Sequence, residues 1–74
     1  MTKRPPVANH LTDEQYRCLM RTYANHNSSM GFEQRVKYTF SHIVKVEVNK
    51  REGCLDVHYE DGEWWHYTPQ GTWY

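Results

Sequence analysis

Hydrophobic and polar positions follow two different periods along this chain. Residues 12–25 carry the helical one. Tyr16, Leu19, Met20, Tyr23 and Ala24 fall at i, i+3, i+4, i+7 and i+8, which places them on one apolar stripe. Thr12 with Gln15 three residues later forms a capping box, and Leu11 with Tyr16 suits a hydrophobic staple. Asp13 and Glu14 lie in the first turn, where the helix dipole favours acids. Asn25 to Ser29 then supplies C-cap and loop residues.

The rest of the chain reads with period two. Val36, Tyr38, Phe40, His42, Val44, Val46 and Val48 alternate with Lys37, Thr39, Ser41, Ile43, Lys45 and Glu47. That alternation predicts a strand, broken or bulged near Ser41-His42 because one flat strand of this length would outrun a small domain. A helix over 32–40 competes, since Phe32, Val36 and Phe40 also fit i, i+4, i+8. The β-branched residues favour the strand.

Turn chemistry sets an expected register. A four-residue loop, Lys50-Arg51-Glu52-Gly53, pairs Val48 with Leu55, Val46 with Val57 and Val44 with Tyr59. Asp61-Gly62 read as a two-residue turn pairs Tyr59 with Trp64, His58 with Trp65 and Val57 with His66. Thr68-Pro69-Gln70-Gly71 fits a type I turn ending in a left-handed glycine, and pairs Tyr67 with Trp73 and His66 with Tyr74. The expected fold class is α+β, with one N-terminal helix packed on a curved antiparallel β-meander of three to four strands. Residues 1–10, with Pro5 and Pro6, read as a flexible arm, and 11–74 as a single domain.

In that register one face carries Val44, Val46, Val48, Leu55, Val57, Tyr59, Trp64 and His66 against the helix stripe. The other carries Lys45, Glu47, Cys54, Asp56, His58, Glu60, Trp65, Tyr67 and Trp73. Trp65, Tyr67 and Trp73, with His58 beside them, form the candidate binding surface, because contiguous exposed aromatics mark interfaces. The competing reading makes these aromatics a second small core.

Composition narrows the classes. In 74 residues there are eleven aromatics, too many for a disordered chain. The formal net charge of zero hides a division. Residues 1–51 hold all nine Lys and Arg against four acids, a balance of +5, while 52–74 hold five acids and no Lys or Arg, a balance of −5. The plain expectation is that the halves attract each other in the fold. Arg17 and Arg21, one turn apart on the helix, begin a candidate phosphate-facing stripe. The start of the chain has no apolar run of a signal peptide, and no segment approaches a membrane span, so a cytoplasmic protein with two reduced cysteines and no membrane partner is expected.

Candidate chemistry is sparse. No Cys-x-x-Cys, His-x-His or His-Glu-x-x-His spacing occurs. His58 and His66 point to opposite faces in the expected register and cannot share an ion. Cys54 and His58, four residues apart along a strand, stand about 13 Å apart, beyond hydrogen-bond reach. The expectation is therefore no metal, no cofactor and no catalysis. The leading function is a small protein-interaction module, an inhibitor or modulator of a larger machine, of the kind small bacterial or mobile-element proteins provide; homodimerisation is compatible with the size. The alternative is a nucleic-acid-binding regulator that uses the basic helix and N-terminal half.

Overall fold

The computed structural model describes residues 4–74. A single turn of 3-10 helix at Pro6–Ala8 leads into α1 (Asp13–Ser28), then α2 (Phe32–Lys37), a 3-10 turn at Phe40–His42, and three strands, β1 (Ile43–Asn49), β2 (Cys54–Tyr59) and β3 (Trp64–Tyr67). The strands form one antiparallel sheet in the order β1-β2-β3. The fold is thus the α+β meander that the patterning predicts.

α1 starts where the capping box places it. Thr12 Oγ1 accepts from the Gln15 amide at 3.1 Å, and Gln15 Oε1 accepts from the Thr12 amide at 2.8 Å. The helix runs three residues beyond the expected end, and its buried face is rotated from the expected stripe. Leu19, Thr22 and His26 are buried, with Tyr16, Cys18 and Tyr23 partly so, whereas Met20 and Ala24 are exposed. Side chain to backbone bonds cause the rotation. Thr22 Oγ1 donates to Thr68 O at 3.0 Å and Asn25 Nδ2 to Gly71 O at 2.9 Å, which fastens α1 to the turn that follows β3. A buried threonine and histidine look polar to a hydrophobicity pattern, yet both are satisfied.

Three expectations are corrected. The strand begins at Ile43 and not at Val36: residues 32–37 are helical, as the competing reading has it, and 40–42 form a 3-10 turn. A strand needs a partner, and β2 ends at Tyr59 opposite Ile43; Glu60 N still donates to His42 O at 2.9 Å, and the pairing stops there as the chain turns away at Asp61. Arg35 instead closes the α1–α2 corner, donating from Nε to Met30 O at 3.0 Å and from Nη2 to Ser28 O at 3.1 Å. The expected arm also differs. Residues 1–3 lie outside the described residues, but Ala8 is fully buried in the core, and Arg4 lies over the Tyr16 ring at 4.7 Å while donating to Asp13.

The third correction is one of register. The first hairpin pairs as expected, Val48 with Leu55 and Val46 with Val57, until a bulge between Ile43 and Lys45 sets Ile43, in place of Val44, opposite Tyr59. Val44 is left exposed there. The second hairpin is shifted by one residue: His58 pairs with Trp64, Val57 with Trp65, Asp56 with His66 and Leu55 with Tyr67. The loop has three residues, not two. Gly62 N donates to Tyr59 O at 3.0 Å, Tyr59 N donates to Glu63 O at 2.8 Å, and Gly62 has φ of 92°. This is a tight turn over Glu60-Asp61 followed by a left-handed glycine, the usual three-residue hairpin. A one-residue shift turns every side chain of β3 over.

The core therefore gathers Ala8, Leu11, Leu19, Ile43, Val46, Leu55, Val57, Tyr59 and Tyr67, flanked by Trp65, Trp73, Tyr23 and Phe40 among others. Trp65, Tyr67 and Trp73, read from the sequence as an outward surface, form an aromatic wall around His26 of α1. Their ring centroids lie 4.8, 5.5 and 5.0 Å from its imidazole. His26 Nδ1 is hydrogen-bonded to Tyr67 Oη at 2.7 Å, and Tyr67 Oη to Tyr59 Oη at 2.6 Å.

Candidate functional site

With β3 turned over, the outward sheet face has a different cast. It carries Lys45, Glu47 and Asn49 from β1, Cys54, Asp56 and His58 from β2, and Trp64 and His66 from β3. Trp64 is 49% exposed, the most exposed of the three tryptophans. His58 stacks on it, 5.6 Å between centroids and 16° between planes. His66 meets Trp64 edge-on at 4.9 Å, and Tyr74 lies 4.6 Å from His66 on the far side. Four rings thus run in a row across the strands, in the order His58, Trp64, His66, Tyr74. Tyr74 is held there by reciprocal backbone bonds with His66, at 2.9 and 3.1 Å, and by the expected Tyr67–Trp73 bridge.

Carboxylates border the row. Glu47 Oε1 lies 3.5 Å from His58 Nε2, Asp56 Oδ1 lies 2.8 Å from His66 Nδ1, and Glu60 Oε1 lies 3.6 Å from His42 Nε2. Asp61 accepts from the Tyr38 hydroxyl, which holds its carboxyl below the usual range and raises the Tyr38 phenol to about 12. Among the described residues, no Lys or Arg pairs with any carboxylate of 52–74: the Arg4–Asp13 and Lys45–Glu47 pairs both lie within the basic half. Any attraction between the halves of opposite charge therefore runs without a direct Lys or Arg ion pair among the described residues.

At one end of the row three ligating atoms converge. Cys54 Sγ, Asp56 Oδ1 and His66 Nδ1 all lie within 4.8 Å of one another, the sulfur 3.4 Å and the carboxylate 2.8 Å from the same ring nitrogen. Asn49 Nδ2 donates to both oxygens of Asp56, at 3.3 and 3.4 Å. Burial pushes the Cys54 thiol up and the Asp56 charge adds to this, while a hydrogen bond from Tyr74 acts the other way. A nucleophilic cysteine needs the opposite, a lowered pKa. The geometry also differs from a nucleophile triad. There the acid holds one ring nitrogen and the nucleophile uses the other; here both meet Nδ1.

The sequence-predicted site residues separate accordingly. Tyr67 is wholly buried, and Trp65 and Trp73 pack inward, so none of the three offers an outward platform. His58 is outward as expected, but it shares its face with His66, contrary to the expected opposition. Arg17 and Arg21 are exposed on α1, where with Glu14, Cys18 and Pro69 they line a shallow groove. A two-residue turn at Asp61-Gly62 puts Trp64 and His66 on the helix side, whereas the three-residue loop Glu60-Asp61-Gly62 turns them outward, with Tyr74 beside His66. α2 leaves a second apolar pair, Phe32 and Val36, in solvent. No helix among the described residues is long and apolar enough to cross a membrane. No protein family's sequence profile matches this chain, and no match emerges among curated proteins or solved structures.

Proposed function

We propose that this chain is a non-catalytic protein-binding module whose outward sheet face, centred on Trp64, docks an Arg- or Lys-rich segment of a partner protein. The observation that carries this reading is the outward row His58, Trp64, His66 and Tyr74, bordered by Glu47, Asp56 and Glu60, of which Asp56 and Glu60 pair with no Lys or Arg among the described residues and Glu47 pairs with its strand neighbour Lys45. Indole and phenol faces attract cations, most often guanidinium, at about 0.5–2 kcal/mol per contact. Adjacent carboxylates supply the salt-bridging partners and repel phosphate. Covering a basic segment in this way is how a small chain without catalytic machinery would inhibit or modulate a larger protein.

The test is a nuclear magnetic resonance titration with three probes: an Arg-rich peptide, a Glu-rich peptide of equal length and a single-stranded oligonucleotide. The Arg-rich peptide is expected to shift the Trp64 indole and the His58 and His66 resonances, more weakly as salt rises. Trp64→Ala should weaken that binding by about 2 kcal/mol, as loss of a central aromatic anchor does. Oligonucleotide binding that Arg17→Ala and Arg21→Ala abolish would refute the docking face and favour the nucleic-acid-binding alternative. An Arg-rich peptide that leaves Trp64 unperturbed would refute it as well.

A further inference from the structure

The trio at the end of the aromatic row has a chemistry of its own. We infer that Cys54, Asp56 and His66 form a binding site for a single zinc-class divalent ion, with ligands from β2 and β3. The argument begins with the atoms. A thiol sulfur, a carboxylate oxygen and an imidazole nitrogen are the three donor types from which proteins build zinc sites, and a mixed S, N, O set suits zinc-class ions over the oxygen-seeking magnesium and calcium. Zinc bonds of about 2.3 Å to sulfur and about 2.0–2.2 Å to nitrogen and oxygen place neighbouring donors of a tetrahedron roughly 3.3–3.5 Å apart. The sulfur already stands 3.4 Å from Nδ1 and 3.9 Å from Oδ1. Two distances must change: the Asp56–His66 pair, at 2.8 Å, must open by about half an ångström, and the sulfur–carboxylate distance must close by a few tenths of an ångström.

The surroundings fit the same reading. Bound ligands are normally held in place by hydrogen bonds behind them. Here Asn49 Nδ2 supports the Asp56 carboxylate, and Trp64 and Tyr74 flank the His66 ring. The three residues are positioned by regular strand pairing, Asn49 with Cys54 and Asp56 with His66, so the donor set is fixed by the sheet and not by a loop. Cys54 is buried, and His66 and Asp56 are partly buried, which limits competition from water.

Without a metal the trio is held by protons. A hydrogen on Nδ1 lies between His66 and Asp56, and the thiol keeps its own. Binding exchanges those protons for the ion: the thiol releases H+ to solvent as the S–metal bond forms, and the imidazole hydrogen moves to Nε2. Three protein ligands leave one position for water or a further group. The inference does not rest on the docking function, although His66 belongs to both. Its test uses the metal alone.

That test is a Co2+ titration of the reduced full chain after removal of metals. The expected result is saturation at one ion per chain, with a thiolate-to-cobalt charge-transfer band and the visible spectrum of a four-coordinate ion, both erased by Zn2+. Cys18→Ser should keep these bands, Cys54→Ser and His66→Gln should lose them, and Asp56→Asn should weaken binding by about tenfold or more. Zn2+ should raise the thermal midpoint of the wild type and of Cys18→Ser, but not of Cys54→Ser. Should Cys54→Ser fail to fold, as judged by circular dichroism, Asp56→Asn and His66→Gln carry the test at more accessible positions. Absence of a charge-transfer band in the folded wild type would overturn the inference, as would a band that survives in Cys54→Ser.

Discussion

Trp65 lies against His26, with its indole nitrogen buried and without a hydrogen-bond partner among the described residues, while the half-exposed side chain of Trp64 next to it stands between two imidazoles. The consequence for mutation is asymmetric. Trp65→Ala removes part of the wall that encloses His26 and should cost about 3 kcal/mol, a large share of the stability of a domain this small. Trp65→Phe should cost much less, because it also removes the unsatisfied N–H, itself worth about 1–3 kcal/mol. Trp64→Ala should change stability by about 0.5 kcal/mol or less. Urea unfolding of the three variants checks this; equal losses for the two alanine variants would mean that the β3 register is not the one described.

At the scale of elements, the turns decide which side chains face where. Gly62 and Gly71 both follow tight turns with positive φ, 92° and 85°. A methyl group at 62 would meet only open space, whereas at 71 it would approach Asn25 Nδ2 to 2.9 Å and Arg21 Nε to 3.1 Å. Gly62→Ala should therefore cost only the left-handed backbone penalty, about 1–2 kcal/mol. Gly71→Ala should cost more, since it also disturbs the Asn25 bond that ties α1 to the last turn. Denaturant midpoints of the two variants would show the difference, and a smaller loss at 71 would speak against that tie. Much of the element order is legible in the chain: the Thr12 cap, the four-residue loop after Asn49 and the Thr68–Gly71 turn are local chemistry and read directly. Two features are not local. Whether 32–37 becomes a strand depends on whether β2 is long enough to pair with it. Which tryptophan faces out depends on one residue of loop length, because the alternation Trp64-Trp65-His66-Tyr67 is aromatic on both faces and gives no signal of its own. The converging Cys54, Asp56 and His66 were hidden for the same reason, since their proximity arises across strands and not along them.

For the molecule as a whole, the position of His26 makes stability depend on pH. Burial among aromatic rings lowers its pKa from the usual 6.5, so the folded chain resists protonation that the unfolded chain accepts. The unfolded state then binds more protons as pH falls, and stability drops on the acidic side of about 6.5. The neighbouring hydroxyls do not compete in this range, since burial raises Tyr59 to about 12 and Tyr67 also upward. Urea midpoints in the presence of chelator should fall from pH 7.5 to pH 5, by at most about 1.4 kcal/mol per pH unit for one group. His26→Gln should flatten the slope, and an unchanged slope in that variant would assign the dependence to other groups.

The reciprocal bonds between His66 and Tyr74 bear on self-association. An outermost strand with free amides and carbonyls is a template on which strands of other molecules add, the first step toward fibrils. β3 does not present such a template along 66–68, because Thr72 and Tyr74 already occupy its backbone groups there. At the opposite margin, β1 is interrupted by the bulge between Ile43 and Lys45 and carries Lys45 and Glu47, features that discourage strand addition. Among the described residues, neither margin of this aromatic-rich sheet offers a long, flat, uncharged edge, so the backbone gives a second copy little on which to extend the sheet.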